Sequence, residues 1–369
     1  MQDVLGLRDL RVGGRPRARS PIYCGELQPG RRQPTMPRTT SNTPPRTLRA
    51  AVIGVGYLGN FHAQKYIACP GVELVAVVDS DAARAAEIGA KYGTRAVTDY
   101  RDILGEVDLV SIVVPPANHF DIAHDCLTAG VHTLVEKPVT ERVDQAEVLI
   151  ECATRAALVL QVGHLERFNP VVLALRKHIG RPRLIEAQRF AAYKARGTEV
   201  DVVLDLMIHD IDIVLSIADS PVTAIHSTGT AVVTPDIDIA HARLEFADGL
   251  VAELAASRVS QEPTRTMKVF EDARCIAIDY MHHELRFGSV ENGHEHLDQA
   301  EVTFESEART VARTDVLMDE IASFVDAVRH GVAPAVTGED GKRALALAIE
   351  ISHRINRYRA TQARVHGTS

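Results

Sequence analysis

The chain has 369 residues, of which 46% are hydrophobic and 24% charged, and its formal net charge is -8 at pH 7. This length predicts two domains, and the ordinary composition predicts a soluble globular protein. The negative charge disfavours nucleic acid as a partner, and no apolar run reaches the roughly 20 residues of a membrane span. Five scattered cysteines without a C-x-x-C pair fit a reducing compartment, so a cytoplasmic location is expected.

Residues 1–47 form a segment of different composition. They contain nine arginines, seven prolines and three acidic residues, with little hydrophobic periodicity. Such a segment cannot bury enough apolar surface to offset the entropy lost on ordering, so we expect a disordered N-terminal extension. It could be an organellar transit peptide or a non-native extension, with Met36 as the start of a shorter product.

From residue 48 onward, short apolar strands alternate with helices. Leu48–Ile53 and Val72–Val78 are predicted strands, and a helix is predicted between them over 60–69. The alternation continues to residue 162, which is typical of a doubly wound parallel sheet. We therefore predict an α/β Rossmann domain over residues 48–166.

A glycine-rich turn follows the first predicted strand. Its candidate cofactor-binding residues are Gly54, Gly56, Tyr57, Leu58 and Gly59. In this pattern the glycines allow a tight turn, close approach of the backbone to a pyrophosphate, and packing of the following helix on the sheet. Asp79 ends the second strand, where its carboxylate would accept hydrogen bonds from ribose hydroxyls and repel a 2′-phosphate. NAD is therefore predicted rather than NADP.

Polar residues also follow the later strands, at the edge where a doubly wound sheet binds its ligand. The candidate cofactor-binding residues at this edge are Pro115, Asn118, His119, Glu136, Lys137 and Gln161. Pro138 restricts the backbone of Lys137 and so fixes the direction of an ammonium group that is expected to reach the substrate as well. Where the chain crosses into its second half, the candidate substrate-binding residues are His164, Glu166, Arg167 and Asn169.

Residues 167–369 are predicted to form a second, α+β domain. A first strand over 183–193 and, after a helix, successive strands from 222–233 to 301–304 predict a large and mostly antiparallel sheet. Two helices, over 315–330 and 340–358, are expected to close the chain and pack back on the fold. A histidine-rich stretch between residues 282 and 296 is interpreted as a solvated hairpin, so no metal site is predicted.

A helix is predicted over 205–216 in the second half. At about 100° per residue, Asp205, His209, Asp212 and Ser216 share one face, while most of the remaining circumference is apolar. One interpretation is a solvent-exposed stripe on an amphipathic helix. The other is a carboxylate one turn before a histidine, orienting it as a general base.

In their order along the chain, these motifs resemble the glucose–fructose oxidoreductase, inositol dehydrogenase and MocA-type (Gfo/Idh/MocA) family. The resemblance covers residues 48 to about 360 and implies a Rossmann domain followed by a domain with a large open sheet. It further implies that Lys137 is a catalytic lysine, His209 an acid/base group and Asp205 its helper. Because the family often uses the open sheet for oligomerisation, a homo-oligomer, either a dimer or a tetramer, is expected.

Two motifs, over 162–170 and 205–212, most resemble nucleotide-sugar dehydrogenases within the family. This implies oxidation at C3 of UDP-N-acetylglucosamine, giving a 3-keto sugar for a partner aminotransferase in lipid A synthesis. For such a reaction His209 would remove the hydroxyl proton, Asp205 would orient it, and Lys137 would steady the developing alkoxide. Two alternatives remain: a dehydrogenase of a free sugar or inositol-like cyclitol, and a non-catalytic dinucleotide sensor.

Overall fold

The computed structural model describes residues 46–194, 200–272, 274–290 and 304–366. The predicted disorder of residues 1–47 therefore falls almost wholly outside the described residues. Both sheets described below belong to one compact unit, Thr47–Ser369. The division of this unit at residues 166 and 167 stays a prediction.

The first sheet has six parallel strands, as the alternating pattern predicts. Its strands are β1 (Leu48–Ile53), β2 (Val72–Val78), β3 (Arg95–Val97), β4 (Leu109–Ile112), β5 (His132–Glu136) and β6 (Leu160–Gly163). Their spatial order is β3-β2-β1-β4-β5-β6, so the direction of winding reverses between β1 and β4. Ligands of doubly wound sheets bind beyond the carboxyl ends of the strands at this reversal. The predicted Rossmann-type fold is confirmed.

The second sheet has eight strands. They are β7 (Leu184–Phe190), β8 (Val222–Thr230), β9 (Ile239–Phe246), β10 (Val251–Ser257), β11 (Thr264–Phe270), β12 (Arg274–Asp279), β13 (Glu284–Val290) and β14 (Phe304–Thr310). Their order is β14-β13-β12-β11-β7-β10-β9-β8. The β7–β10 pair is parallel and the other described pairs are antiparallel, which confirms a mostly antiparallel sheet.

Helices cover both faces of the first sheet and one face of the second. They are α1 (Tyr57–Ala68), α2 (Ala82–Tyr92), α3 (His119–Thr128), α4 (Val143–Ala156), α5 (Pro170–His178), α6 (Ile208–Ile217), α7 (Val316–His330) and α8 (Gly338–His366). Phe324 of α7 is buried in a core of the first sheet. Helix α8 contributes Leu345 to the first sheet and Ile351 to the second, so it joins the two cores. Among the described residues, no helix is long and apolar enough to cross a bilayer.

Three predicted elements differ from the structure. Strand β8 ends at Thr230, not residue 233, because the Asp238 carboxylate accepts hydrogen bonds from three successive backbone N–H groups, at residues 232–234, and turns the chain there. Strand β14 begins at Phe304, where the predicted strand over 301–304 ends, and residues 301–303 lie outside the described chain. The helix predicted over 205–216 begins with a π-helical turn, Val203–Met207, before α6 continues it.

Candidate active site

The glycine-rich turn after β1 is tightly packed at two glycines and open at the third. Gly54 has a φ of +85°, and a Cβ there would lie 2.3 Å from the carbonyl oxygen of Val113. A Cβ on Gly59 would lie 1.8 Å from the carbonyl oxygen of Gly54, so α1 can approach the turn only without a side chain. Around a Cβ on Gly56, no atom of the described residues lies within 4 Å. The backbone at Gly56 is therefore open to a ligand.

The N-terminus of α1 suits a phosphate group. Among the described residues, no side chain caps this helix, and its first turn contains no acidic residue. Free N–H groups at a helix N-terminus attract anions. Tyr57 and Leu58 are exposed at this point. Asp79 accepts hydrogen bonds from the backbone N–H groups of Val55 and Asp81, both at 3.0 Å, and so fixes the turn beside it. These features fit the pyrophosphate and ribose of a dinucleotide.

The next loop places the predicted residues Pro115, Asn118 and His119 differently. Pro115 and Asn118 are exposed beyond the end of β4. His119 is buried, and its two ring nitrogens lie 2.7 Å from the carbonyl oxygen of Pro138 and 2.9 Å from that of Val114. Burial lowers the pKa of His119. Because both ring nitrogens contact backbone oxygens, His119 connects the loop after β4 with the loop after β5.

Lys137 connects the first sheet to the helix that carries His209. Its Nζ donates a hydrogen bond of 2.7 Å to the backbone carbonyl of Asp205 and lies 3.6 Å from the Asp205 carboxylate. Burial lowers the pKa of Lys137, and the charges of Asp205 and Glu136 oppose that shift. Asp205 lies in the π-helical turn, so this wide turn supplies the oxygen that Lys137 contacts.

His209 is partly exposed, and its Nδ1 is buried with no hydrogen-bond partner among the described residues. Burial, followed by the positive charge of Lys137, holds the pKa of His209 well below its usual value. A neutral imidazole near pH 7 can accept a proton. The structure differs from the expected role of Asp205: its carboxylate faces the ammonium of Lys137, an opposite charge, and makes no described hydrogen bond to His209.

The acidic residues next to His209 are held by buried arginines. Arg189 donates to both carboxylate oxygens of Asp210, at 2.8 and 3.0 Å, and to Glu166 at 3.0 Å. Arg167 makes the same bidentate contact with the two carboxylate oxygens of Asp212, at 2.5 and 2.7 Å. Because all four charges of the Asp210 and Asp212 pairs are buried, these contacts fix the rotation of α6. The solvent-stripe interpretation is wrong for Asp212.

The predicted substrate-binding residues after β6 have internal partners. Asn169 donates to Glu166 at 2.9 Å and accepts from the backbone N–H of Val171, where it caps α5. Arg167 is committed to its ion pair. Buried charges need such partners because desolvation is costly. Their role as substrate contacts stays a prediction. In the structure, the polar groups of Glu166, Arg167 and Asn169 bind other residues of the protein around His209.

His164 and Gln161 extend the site inward. His164 is buried with both ring nitrogens lacking partners among the described residues, and burial lowers its pKa. After burial and the charges of Lys137 and Arg189, the charge of His164 also contributes to the low pKa of His209, so the two rings lie near each other. Gln161 is buried and donates to the backbone carbonyl of Glu320 at 3.3 Å. Buried polar atoms without partners are rare, so His164 and His209 fit a polar ligand at this point.

A cluster next to Lys137 contains two residues, His62 and Glu320, that the sequence analysis did not single out. It contains His62, Glu136 and Glu320, whose nitrogen and oxygen atoms lie within 4.8 Å of one another. His62 Nε2 is 3.2 Å from Glu136, whereas neither oxygen of Glu320 has a hydrogen-bond partner among the described residues. Burial and the charge of Glu136 raise the pKa of Glu320 well above its usual value. This environment therefore favours the neutral form of the Glu320 carboxyl group. Glu320 is far from His62 and Glu136 in the sequence, so no local pattern indicated that these residues would meet.

Comparison with known proteins matches this chain to two family models. The model described as an oxidoreductase family with an NAD-binding Rossmann fold, Gfo/Idh/MocA, matches residues 48–164. The model of the Gfo/Idh/MocA C-terminal domain matches residues 172–275.

Two relatives and one solved structure show how far the similarity extends. The UDP-N-acetylglucosamine 3-dehydrogenase of Acidithiobacillus ferrooxidans is 39% identical over 309 residues, which is 82% of this chain and 96% of that protein. The myo-inositol 2-dehydrogenase of Thermotoga maritima is 25% identical over 322 residues, 81% of this chain and 94% of that protein. A solved structure of the Acidithiobacillus enzyme has a TM-score of 0.78 and 38% identity, covering 84% of this chain and 98% of that one.

Proposed function

The chain belongs to the Gfo/Idh/MocA family of NAD-dependent oxidoreductases, and we propose that it oxidises UDP-N-acetylglucosamine at C3 to a 3-keto nucleotide sugar. The observation that carries the proposal is the link between Lys137 and the helix of His209, made through the backbone of Asp205. Support for the substrate comes from the Acidithiobacillus relative, which this chain matches over 96% of that protein's length.

The side chains divide the chemistry of alcohol oxidation between them. His209, held neutral, removes the hydroxyl proton through a ring nitrogen. Lys137 stabilises the negative charge that develops on the substrate oxygen, and Asp205 holds the ammonium group in place. Bound NAD would supply the acceptor for the hydride that leaves the substrate carbon. The glycine turn, the first turn of α1 and Asp79 would hold the cofactor.

Further parts of the proposal concern partners and location. The 3-keto product is a ketone, which is the kind of substrate that an aminotransferase converts, so a partner aminotransferase of lipid A synthesis is proposed. A homo-oligomer is proposed because the outer face of the eight-stranded sheet carries no described helix. A cytoplasmic site of action is proposed from the cysteines: the four described ones, Cys69, Cys126, Cys152 and Cys275, are free.

The test is a comparison of substrates. The full chain is incubated with NAD and either UDP-N-acetylglucosamine or myo-inositol, and absorbance of the reduced cofactor is followed. We expect reduction with the nucleotide sugar, and, after addition of glutamate and the partner aminotransferase, an amino sugar nucleotide by mass spectrometry. His209→Ala should abolish reduction, whereas the matched control His282→Ala, at an exposed histidine, should not. Reduction with inositol and none with UDP-N-acetylglucosamine would refute the substrate.

A further inference from the structure

The positively charged side chains of Lys137, Arg189 and Arg265 act electrostatically on His209. After burial, the charge of each contributes to the low pKa of the histidine. Lys137 is bound to Asp205, and Arg189 is bound to Asp210 and Glu166. Arg265 makes no hydrogen bond or ion pair through its side chain with any residue that the structure describes. Of these three groups, it alone has its full hydrogen-bonding capacity left for a ligand.

The register of the large sheet places Arg265 beside the site. Arg265 on β11 lies directly opposite Arg189 on β7 in an antiparallel pair, so both side chains are on the same face. That face carries α6, because Arg189 reaches Asp210 there. Toward the middle of β11 the same face is buried at Met267 and Val269, whereas Arg265, near the strand's beginning, is exposed. Arg265 therefore lies at the solvent margin of the face that holds the catalytic helix.

Among the described residues, the neighbouring acidic groups are already bound to partners other than Arg265. Burial raises the pKa of Asp210, and the charges of Arg189 and Arg265 oppose this rise. Asp210 already receives two hydrogen bonds from Arg189. Glu166 is shared between Arg189 and Asn169. Arg265 is exposed and has no side-chain partner among the residues that the structure describes, and the planar donors of a guanidinium group can bind two phosphate oxygens at once.

We propose that Arg265 binds the diphosphate of the nucleotide-sugar substrate and so makes the enzyme selective for phosphorylated sugars. This inference rests on the proposed function. A free sugar or cyclitol presents no anion to this group, so Arg265 contributes nothing to its binding. The expected consequence is a contribution to substrate affinity, and not to the chemical step, because the diphosphate is remote from the carbon that is oxidised.

The test measures the binding of UDP and of uridine, which lacks the phosphates, to the full chain with NADH at saturation. NADH is present to keep both probes out of the dinucleotide site. We expect Arg265→Ala to weaken UDP about 10- to 100-fold, in line with hydrogen bonds to charged groups, and to leave uridine unchanged. In turnover the KM for UDP-N-acetylglucosamine should rise by a similar factor, with kcat within about twofold.

Arg286→Ala is the matched control. Arg286 is an exposed arginine on β13, and the register through β12 puts it on the opposite face of the same sheet. Its removal should change neither probe. If Arg265→Ala left the ratio of UDP to uridine affinity unchanged, the proposed role of Arg265 would be wrong. The proposed substrate would not be affected by that result. If the unmodified protein neither binds UDP nor oxidises UDP-N-acetylglucosamine, the proposed function fails, and this inference fails with it.

Discussion

Replacement of Lys137 by methionine tests the centre of the proposed mechanism. Methionine keeps most of the apolar length of the side chain and removes its charge. In the structure Nζ donates to the Asp205 carbonyl at 2.7 Å and lies 3.6 Å from the carboxylate, and the lysine side chain is 20% exposed. The change therefore removes a mostly shielded positive charge and leaves Asp205, itself in contact with solvent, without its partner.

Two effects are expected from Lys137→Met. Loss of one group that stabilises negative charge in a transition state lowers kcat by about 100- to 1,000-fold, or about 2.7 to 4 kcal/mol. After burial, the charge of Lys137 is the largest influence that lowers the pKa of His209, so this pKa rises in the variant. Because the base must be deprotonated to work, activity falls as pH drops through its pKa. The acid limb of kcat/KM therefore moves to higher pH.

The assay is reduction of NAD by UDP-N-acetylglucosamine across a range of pH, with NADH affinity and melting temperature measured on the same samples. Lys177→Met, at an exposed lysine at the end of α5, is the control and should match the unmodified protein. If Lys137→Met kept kcat within about threefold of the original, or if its acid limb stayed in place, the assigned role of Lys137 would be wrong.

Three further predictions concern the scaffold. Arg167→Met leaves Asp212 buried without its arginine partner, so the free energy of unfolding in urea should fall by about 3 to 5 kcal/mol. Adding Asp212→Asn should recover part of this loss. If the effects of the two changes were fully additive, the pairing would be contradicted. The raised pKa of Glu320 means that the folded state keeps a proton that the unfolded chain releases, so stability falls as pH rises above the usual carboxyl range. Glu320→Gln should therefore raise the melting temperature more at mildly alkaline than at mildly acidic pH, and an equal change at both would contradict the assignment. Gly59→Ala forces the glycine turn apart and should weaken NADH binding at least about tenfold, whereas Gly105→Ala, in open space, should leave it unchanged; equal affinities in calorimetry would refute the packing argument.

Local patterns in the sequence were sufficient for the fold. Alternation of apolar strands with helices predicted the parallel sheet, and the glycine turn with Asp79 predicted its cofactor. Both depend on residues close together in the chain, so periodicity and spacing contain the needed information. The π-helical turn at Val203–Met207 was not predicted, because one wider turn leaves the apolar pattern of a helix almost unchanged.

The partners of charged residues could not be predicted in the same way. Arg167 and Asn169 looked like ligand-binding groups because polar residues at a domain junction often are, yet the structure gives each an internal partner. Asp205 was expected to pair with His209 on its own helix, but the ammonium of Lys137 competes from another element. Arg265 was not singled out, since only the register of β7 with β11 brings it to the site. Such pairings depend on tertiary contacts.

Strand β7 lies inside the large sheet, but both of its neighbours, β10 and β11, come later in the chain. Helix α6, with His209, lies in the crossover that joins β7 to its parallel partner β10. Pairings across such long loops form slowly, because the entropy of closing the loop must be overcome before the contacts are made. His209 and Arg265 therefore reach their final positions only when the large sheet has formed.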